Sequence, residues 1–481
     1  MNIYQKKKDT ASLKPKRPER LLHYGRLLCA GIMLLGCGSC SLDIPPADQY
    51  SDPDAITGVG TARSLLSSAY ALYPHYEYEF SVLGSDFCPT SIIGKDMEQK
   101  NLYLWQDNTI SDFAETVWLG YYKTIAACDV LLERLPAVQT VTAEEQTRKR
   151  QIEAETKTLK ALCYLNLLRV FAPPYDLNPQ ADGVVLKKVV GLEHRGRSSI
   201  ETCVSTLRQW LLEAEKVENE PTANGWLSQS AVRYLLADLE LYAGNYAEAA
   251  RWAMLLLEYK PEGAYPKGDY ESLWKETSCT GRIFAFYTRS PYYTTIQYDR
   301  KEGDYFALSP QIVYAEEDIR SRVHVYPQEM AGTERRLLGK YNRNNKEGKV
   351  NRYVNTMRYA GACFMAAEAY SRMQGQEAVA RRLVNDYLES CGAAPLSDEL
   401  TGAALTDAIL QEKQKEFVGE GMAYFDCKRL HRHPLSRWNT WGQGTSATIA
   451  PEDYRWTFPI PRSEYRYNET VTQNAGWPLL R

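Results

Sequence analysis

The chain has 481 residues, a formal net charge of −3, 11 Cys, 6 His and 34 Tyr, with 44% apolar and 24% charged residues. At about 150 residues per domain this length supports real cores, so a disulfide-stapled miniprotein is excluded, and the apolar and charged fractions exclude long disorder and a polytopic membrane protein. No basic sheath for nucleic acid is present, six His leave little material for metal or histidine-base chemistry, and aromatic surface is what the chain has in excess.

The N-terminus belongs to a different environment from the rest. Residues 1–36 hold eight basic residues and two acidic ones, which leaves 49 basic against 58 acidic residues, or −9, for the remainder. The basic stretch runs into an apolar segment from Leu27 to Leu35, too short for the roughly 20 apolar residues of a membrane-spanning helix. This pattern predicts a secretory signal peptide over 1–36. Leu34-Leu35-Gly36-Cys37 resembles a bacterial lipobox, with Cys40 as a second candidate for lipidation. A redox reading of Cys37-Gly-Ser-Cys40 wants a strand before and a helix after, and Pro45-Pro46 comes next instead. Residues 37–60 then read as a lipidated tether that holds a domain to a membrane without spanning it.

Helical periodicity dominates the chain beyond the tether. It predicts helices over Ala62 to Leu72, Thr116 to Leu135, and Glu144 to Phe171, the last ended by Pro173-Pro174. Ser198 or Ser199 caps a helix running to Val217. Ser228 to Ala243 and Tyr246 to Glu258, separated by Gly244-Asn245, form an antiparallel pair. A second pair, Arg358 to Met373 and Gln376 to Leu388, flanks Gln374-Gly375. The two overlay at Tyr242/Tyr370, Gly244/Gly375 and Ala249/Ala378, which is the packing logic of tetratricopeptide-like hairpins, though without a regular array. From about 265 to 354 the period vanishes, a strand-like run appears at Arg282 to Tyr287, and tyrosines crowd a polar background. Long irregular stretches of this kind usually carry function.

Glu412, Glu416 and Glu420 recur every four residues and are expected to pair with Lys413, Lys428 or Arg429 rather than to serve as opposed catalytic carboxylates. Cys128, Cys163, Cys203 and Cys363 lie in helical patterns as small hydrophobes, with no metal-ligand spacing. Trp210 and Trp252 read as core, and His431-Arg432-His433 as a solvated cluster. No P-loop, dinucleotide fingerprint, HExxH or GxSxG motif is present.

Several segments in order resemble the SusD/RagB family of surface lipoproteins. They are Cys40-Ser-Leu-Asp43, Trp118 to Leu135 with Asp129 in place of the usual asparagine, and Glu155 to Tyr164 with Lys160 for arginine. Arg197-Ser198-Ser199-Ile200, Arg358-Tyr359-Ala360 with Ala367-Glu368-Ala369, and Asn385 come after these. The ending has Glu412-Lys413, Glu416-Phe417, Glu420-Gly421, Phe425 to Arg429, Pro459-Ile460-Pro461, Glu464, Gln473-Asn474 and Gly476-Trp477, with Lys413, Met422 and Ala475 departing from the family pattern.

The resemblance implies a mostly α, SusD-like fold: a helical scaffold over 61–260 and 357–430, a loop-rich ligand side over 262–356, and a family segment over 402–481. It also implies a surface lipoprotein that captures a glycan and passes it to a SusC-like β-barrel transporter, without cofactor, metal, nucleic acid or covalent chemistry. A peptide cargo, a hydrolase of surface polysaccharide and a purely structural scaffold are the alternatives. A sugar ring wants a flat aromatic face beside polar side chains. Tyr103, Trp105, Asp107 and Asn108, with Tyr292, Tyr293 and Tyr298, have that composition and are the expected binding residues.

Overall fold

A computed structural model describes residues 56–221, 225–266, 270–276, 279–288, 298–299, 303–340 and 353–479, all within one unit, Asp54–Arg481. The leader, Cys37 and Cys40 lie outside the described residues.

The helices begin where local chemistry starts them. In α1 (Val59–Leu72) the buried residues Ala62, Leu65, Leu66 and Ala69 recur at helical spacing. After α2 (Glu77–Leu83), α3 (Met97–Tyr103) is capped by Asp96, whose carboxylate accepts the Gln99 N–H at 3.1 Å. The helix expected from Thr116 begins at Asp107, as α4 (Asp107–Arg134). Helix α5 (Ala143–Phe171) starts with a capping box: the Thr142 hydroxyl accepts the Glu145 N–H at 3.1 Å while the Glu145 carboxylate accepts the Thr142 N–H at 3.2 Å. Ser199 and Ser228 cap α6 (Ile200–Glu215) and α7 (Gln229–Tyr242). Then come α8 (Tyr246–Glu258), α9 (Tyr359–Ser371), α10 (Glu377–Cys391), α11 (Gly402–Phe417) and α12 (Met422–Leu430).

Helices α5 to α10 each pack on the one numbered before, which builds the scaffold as a stack of helix neighbours. Both predicted hairpins are present, and their turns use Gly244 and Gly375 at φ +72° and +75°, a conformation that favours glycine. They dock through α8 and α9. Two residues noted as departures from the family pattern are each other's partner: Lys160 bridges Asp129 at 2.5 Å in the interior. All eight cysteines from Cys88 onward are unpaired thiols, six of them buried.

The irregular region contains more strand than the sequence suggested. Strand β1 (Phe87–Pro89) pairs antiparallel with β5 (Phe306–Leu308), and the expected β2 (Arg282–Tyr287) with β8 (Tyr353–Arg358). Between them lie the two-residue strands β3 (Tyr298–Asp299) and β4 (Gly303–Asp304). Strands β6 (Val325–Met330) and β7 (Thr333–Leu338) close through Ala331-Gly332, both at positive φ, and β9 (Leu435–Trp438) pairs with β10 (Thr445–Ile449).

Of the glutamates expected to pair locally, Glu416 and Glu420 are instead held from far along the chain, while Glu412 has both a local partner, Lys415 at 2.6 Å, and a distant one. Arg358, between β8 and α9, donates to Glu416 at 2.6 Å and to Glu420 at 2.8 Å, and Lys340 donates to Glu420 at 2.7 Å, with all four side chains almost fully enclosed. Arg320 bridges Asp318 and Glu412, each at 2.8 Å. The lysines and arginine first expected as partners serve elsewhere: Lys413 pairs with Asp426 at 2.8 Å, Arg429 with Glu368 at 2.7 Å, and Lys428 donates to the Arg169 and Val170 carbonyls at 2.7 and 3.0 Å. Next to this network His324 is fully buried between the Tyr270 and Tyr314 hydroxyls, at 2.9 and 3.1 Å, with the Lys415 carbonyl at 3.1 Å from Nδ1. Burial, then Lys340, Arg320 and Arg358, holds its pKa well below the usual histidine value.

Two outcomes are expected. Arg358→Met should cost about 3–5 kcal/mol in urea unfolding, because two buried carboxylates lose their main cation. His324 takes a proton more readily unfolded than folded, so stability falls as pH drops below about 6.5, by up to about 1.4 kcal/mol per pH unit. Asp86, raised to about 6 by burial, acts in the opposite sense in both proteins. The comparison of parent with His324→Gln removes it, and the variant should show the shallower acid-side loss.

Candidate functional site

The predicted segment 103–108 is where the scaffold meets the short strands, and its residues divide into two roles. Trp105 is 0% exposed and adopts a left-handed backbone at φ 56°. Its Nε1–H donates to the Leu83 carbonyl at 3.1 Å, and its ring meets Trp456 edge-on at 4.6 Å with Tyr424 at 6.0 Å. Tyr103 is buried too, with Arg437 stacked at 4.5 Å and Phe306 at 5.6 Å; burial pushes its phenol up to about 12. A sugar platform needs an open face, and neither ring has one, because both fill space between α2, the short strands and the C-terminal segment. Asp107 and Asn108, in the first turn of α4, face solvent. Tyr292 and Tyr293 lie outside the described residues; Tyr298 falls in β3, of which only the backbone is described.

The buried rings act by positioning other groups. The Tyr103 hydroxyl accepts the Trp438 N–H at 2.6 Å and so fixes the end of β9. From there the chain turns through Asn439 to Gly444, a turn braced at several points. Asn439 Oδ1 accepts the N–H groups of Trp441 and Gln443 at 3.0 and 3.2 Å, and the Asn439 N–H reaches the Gly444 carbonyl at 2.7 Å. Arg335 of β7, buried, donates to the Thr440 carbonyl at 2.5 Å and to the Pro89 carbonyl at 3.3 Å. Gly442 has φ +65°, and a Cβ there would stand 3.2 Å from Pro310 Cγ. Underneath lies an apolar cluster of Cys88, Ala307, Met330 and Leu337, with Ile92, Tyr326 and Trp438 packed against it.

This turn carries Trp441 with 46% of its surface in water, beside the polar Thr440 and Gln443. Trp is the largest apolar side chain, and an exposed one on an over-determined turn is a ready-made platform whose ordering cost is met on folding. Sequence reasoning missed it. The available signal was a tryptophan inside the Asn/Gly-rich turn Asn439-Thr-Trp-Gly-Gln-Gly444.

A second aromatic group sits at the other end of the stretch. The Tyr454 hydroxyl donates to Asp107 Oδ2 at 2.7 Å, and Arg455 donates to the Trp105 carbonyl at 2.8 Å while pairing with Asp453 at 2.6 Å. Where β2 ends beside the start of β8, Tyr287 and Tyr353 form an edge-to-face pair at 5.4 Å, with Arg282 at 5.1 Å from the Tyr353 ring. Among the described residues no group of His, Cys, Asp or Glu has the arrangement to hold a metal, and Glu416 and Glu420 are each paired with a buried cation.

Comparison with known proteins agrees with this architecture. Residues 314–477 match a family model described as the SusD family, and residues 59–236 match a second, described as starch-binding associating with outer membrane. The chain belongs to the SusD/RagB family. A SusD superfamily protein from Bacteroides vulgatus superposes with TM-score 0.74 at 19% identity, over 88% of this chain and 100% of that one. One from Bacteroides fragilis gives 0.72 at 22% identity, over 87% and 100%. A SusD-like carbohydrate binding protein from Bacteroides vulgatus gives 0.71 at 17% identity, over 86% and 97%. No curated protein matches the chain.

The two tryptophans should separate in a stability measurement. Trp105→Ala removes a fully buried ring and should cost about 3–5 kcal/mol in chemical unfolding, whereas Trp441→Ala should stay within about 0.5 kcal/mol of the parent.

Proposed function

We propose that the protein binds an oligosaccharide at the cell surface on the face built around residues 103–108 and the β9–β10 turn. The observation that carries this reading is Trp441, a half-exposed indole on a turn fixed by Asn439, Arg335 and Gly442. Sugar rings present C–H faces bordered by hydroxyls, and an indole flanked by amide and hydroxyl side chains is complementary to both. The SusD-like relative described as a carbohydrate binding protein supports the same class of ligand. Part of the expected loop-rich region 262–356 supplies the floor of this face, through β5, β6 and β7.

In this reading the leader 1–36 is removed, Cys37 or Cys40 is lipidated, and the domain is displayed at the outer membrane. No described helix is long and apolar enough to cross a membrane, and one of the matching family models is described as associating with the outer membrane. The bound glycan is then handed to a SusC-like β-barrel transporter, and the protein's part is capture and release with no covalent step.

Calorimetry against panels of oligosaccharides and peptides tests the proposal. At least one glycan should bind, and Trp441→Ala should weaken it tenfold or more, the loss of about 1.4 kcal/mol or more expected of a central aromatic contact. Peptide binding with silence from every sugar would favour the alternative cargo and overturn the reading.

A further inference from the structure

We propose that Tyr454, with Asp107, Asn108 and Arg455 around it, is a second sugar subsite, so that the cargo is an oligosaccharide long enough to lie on Trp441 and Tyr454 together. The inference rests on the reading of Trp441 as a platform and adds a second contact and a length requirement to it. Tyr454 is 39% exposed, and its ring is held from three sides. Its hydroxyl is tied to Asp107 Oδ2 at 2.7 Å, Trp477 meets the ring edge-on at 5.1 Å, and Gly476 lies so close that a Cβ there would stand 2.5 Å from Tyr454 Cγ. The bond to Asp107, more than burial, raises the Tyr454 phenol pKa, so the hydroxyl stays protonated and oriented. A ring immobilised in this way loses little freedom when a ligand covers it.

The polar rim suits sugar hydroxyls. Asp107 Oδ1 stands 4.0 Å from Arg455 Nη1, beyond hydrogen-bond distance, which leaves an acceptor facing solvent, and Asn108 adds a side chain able to donate and accept. The two platforms are also mechanically linked. Within five residues, Tyr103 holds the Trp438 N–H, Trp105 receives Arg455 and Asp107 receives Tyr454. Extended chain geometry keeps the Cα atoms of 103 and 107, which anchor the two platforms, within about 14 Å of each other, a distance that a few linked sugar rings can bridge.

The test uses the full-length protein in detergent and malto-, xylo-, manno- and arabino-oligosaccharides of about two to eight units, with calorimetry as the readout. In at least one series affinity should climb tenfold or more with length. Tyr454→Ala should abolish the climb while short oligomers bind as before, and Trp441→Ala should weaken every length. Binding that depends on Trp441 but is indifferent to length and to Tyr454→Ala would overturn the second subsite and leave the proposed function standing. Silence from all four series would overturn both. Unfolding midpoints of each variant, expected near the parent's, identify any loss that comes from misfolding.

Discussion

The structure depends on a buried set of charges in which Arg358 sits between Glu416 and Glu420, with Lys340 on the second carboxylate. Two cations and two anions removed from water are tolerable only when each finds its counter-charge at hydrogen-bond distance. The arrangement therefore holds together the elements that contribute to it. Arg358 joins β8 to α9, Glu416 ends α11, Glu420 opens the turn to α12, and Lys340 comes just after β7. The helical stack, the short strands and the C-terminal segment meet here. The neutral histidine beside it, held by Tyr270 and Tyr314, extends the network to the helix Ile319–His324 without adding another charge.

From this anchor the path to the candidate site is short. Strand β7 supplies Arg335, whose guanidinium reaches the carbonyl of Thr440 and so fixes the turn bearing Trp441. The other support is the stretch 103–107, where each residue that faces inward secures a backbone that presents something outward: Tyr103 the end of β9, Trp105 the Arg455 side chain. Rigid support of this kind matters more for a binder of hydroxyl-rich ligands than for most sites. The ligand's polar groups are already well solvated, so affinity comes from apolar contact that costs little ordering.

Much of the fold was legible in the sequence, for identifiable reasons. Helix starts obeyed capping chemistry, as at Thr142, Ser199 and Ser228, and the hairpin turns obeyed glycine. The start of α4 was misplaced because Gln106-Asp107-Asn108 reads as loop, yet Asp107 belongs to the first helical turn. The glutamates at four-residue spacing suggested local partners, but the Arg358 that holds Glu416 lies 58 residues away in sequence, and no periodicity reports a contact of that range. The three-residue strands β1 and β5, paired across more than 200 positions, were likewise invisible. The expected binding segment was chosen by composition, and composition does not separate a ring that faces solvent from one that holds its neighbour. Trp105 and Tyr103 have the second role, and Trp441 in its short turn has the first.

The central claim is that Trp441 is a preformed surface for a sugar ring. A crystal structure of the protein with an oligosaccharide that it binds in solution tests this most directly. The account predicts a pyranose or furanose ring lying parallel to the Trp441 indole, with carbon atoms about 4 Å from it, and the β9–β10 turn unmoved. A bound sugar seated elsewhere, with the indole still in water, would contradict it.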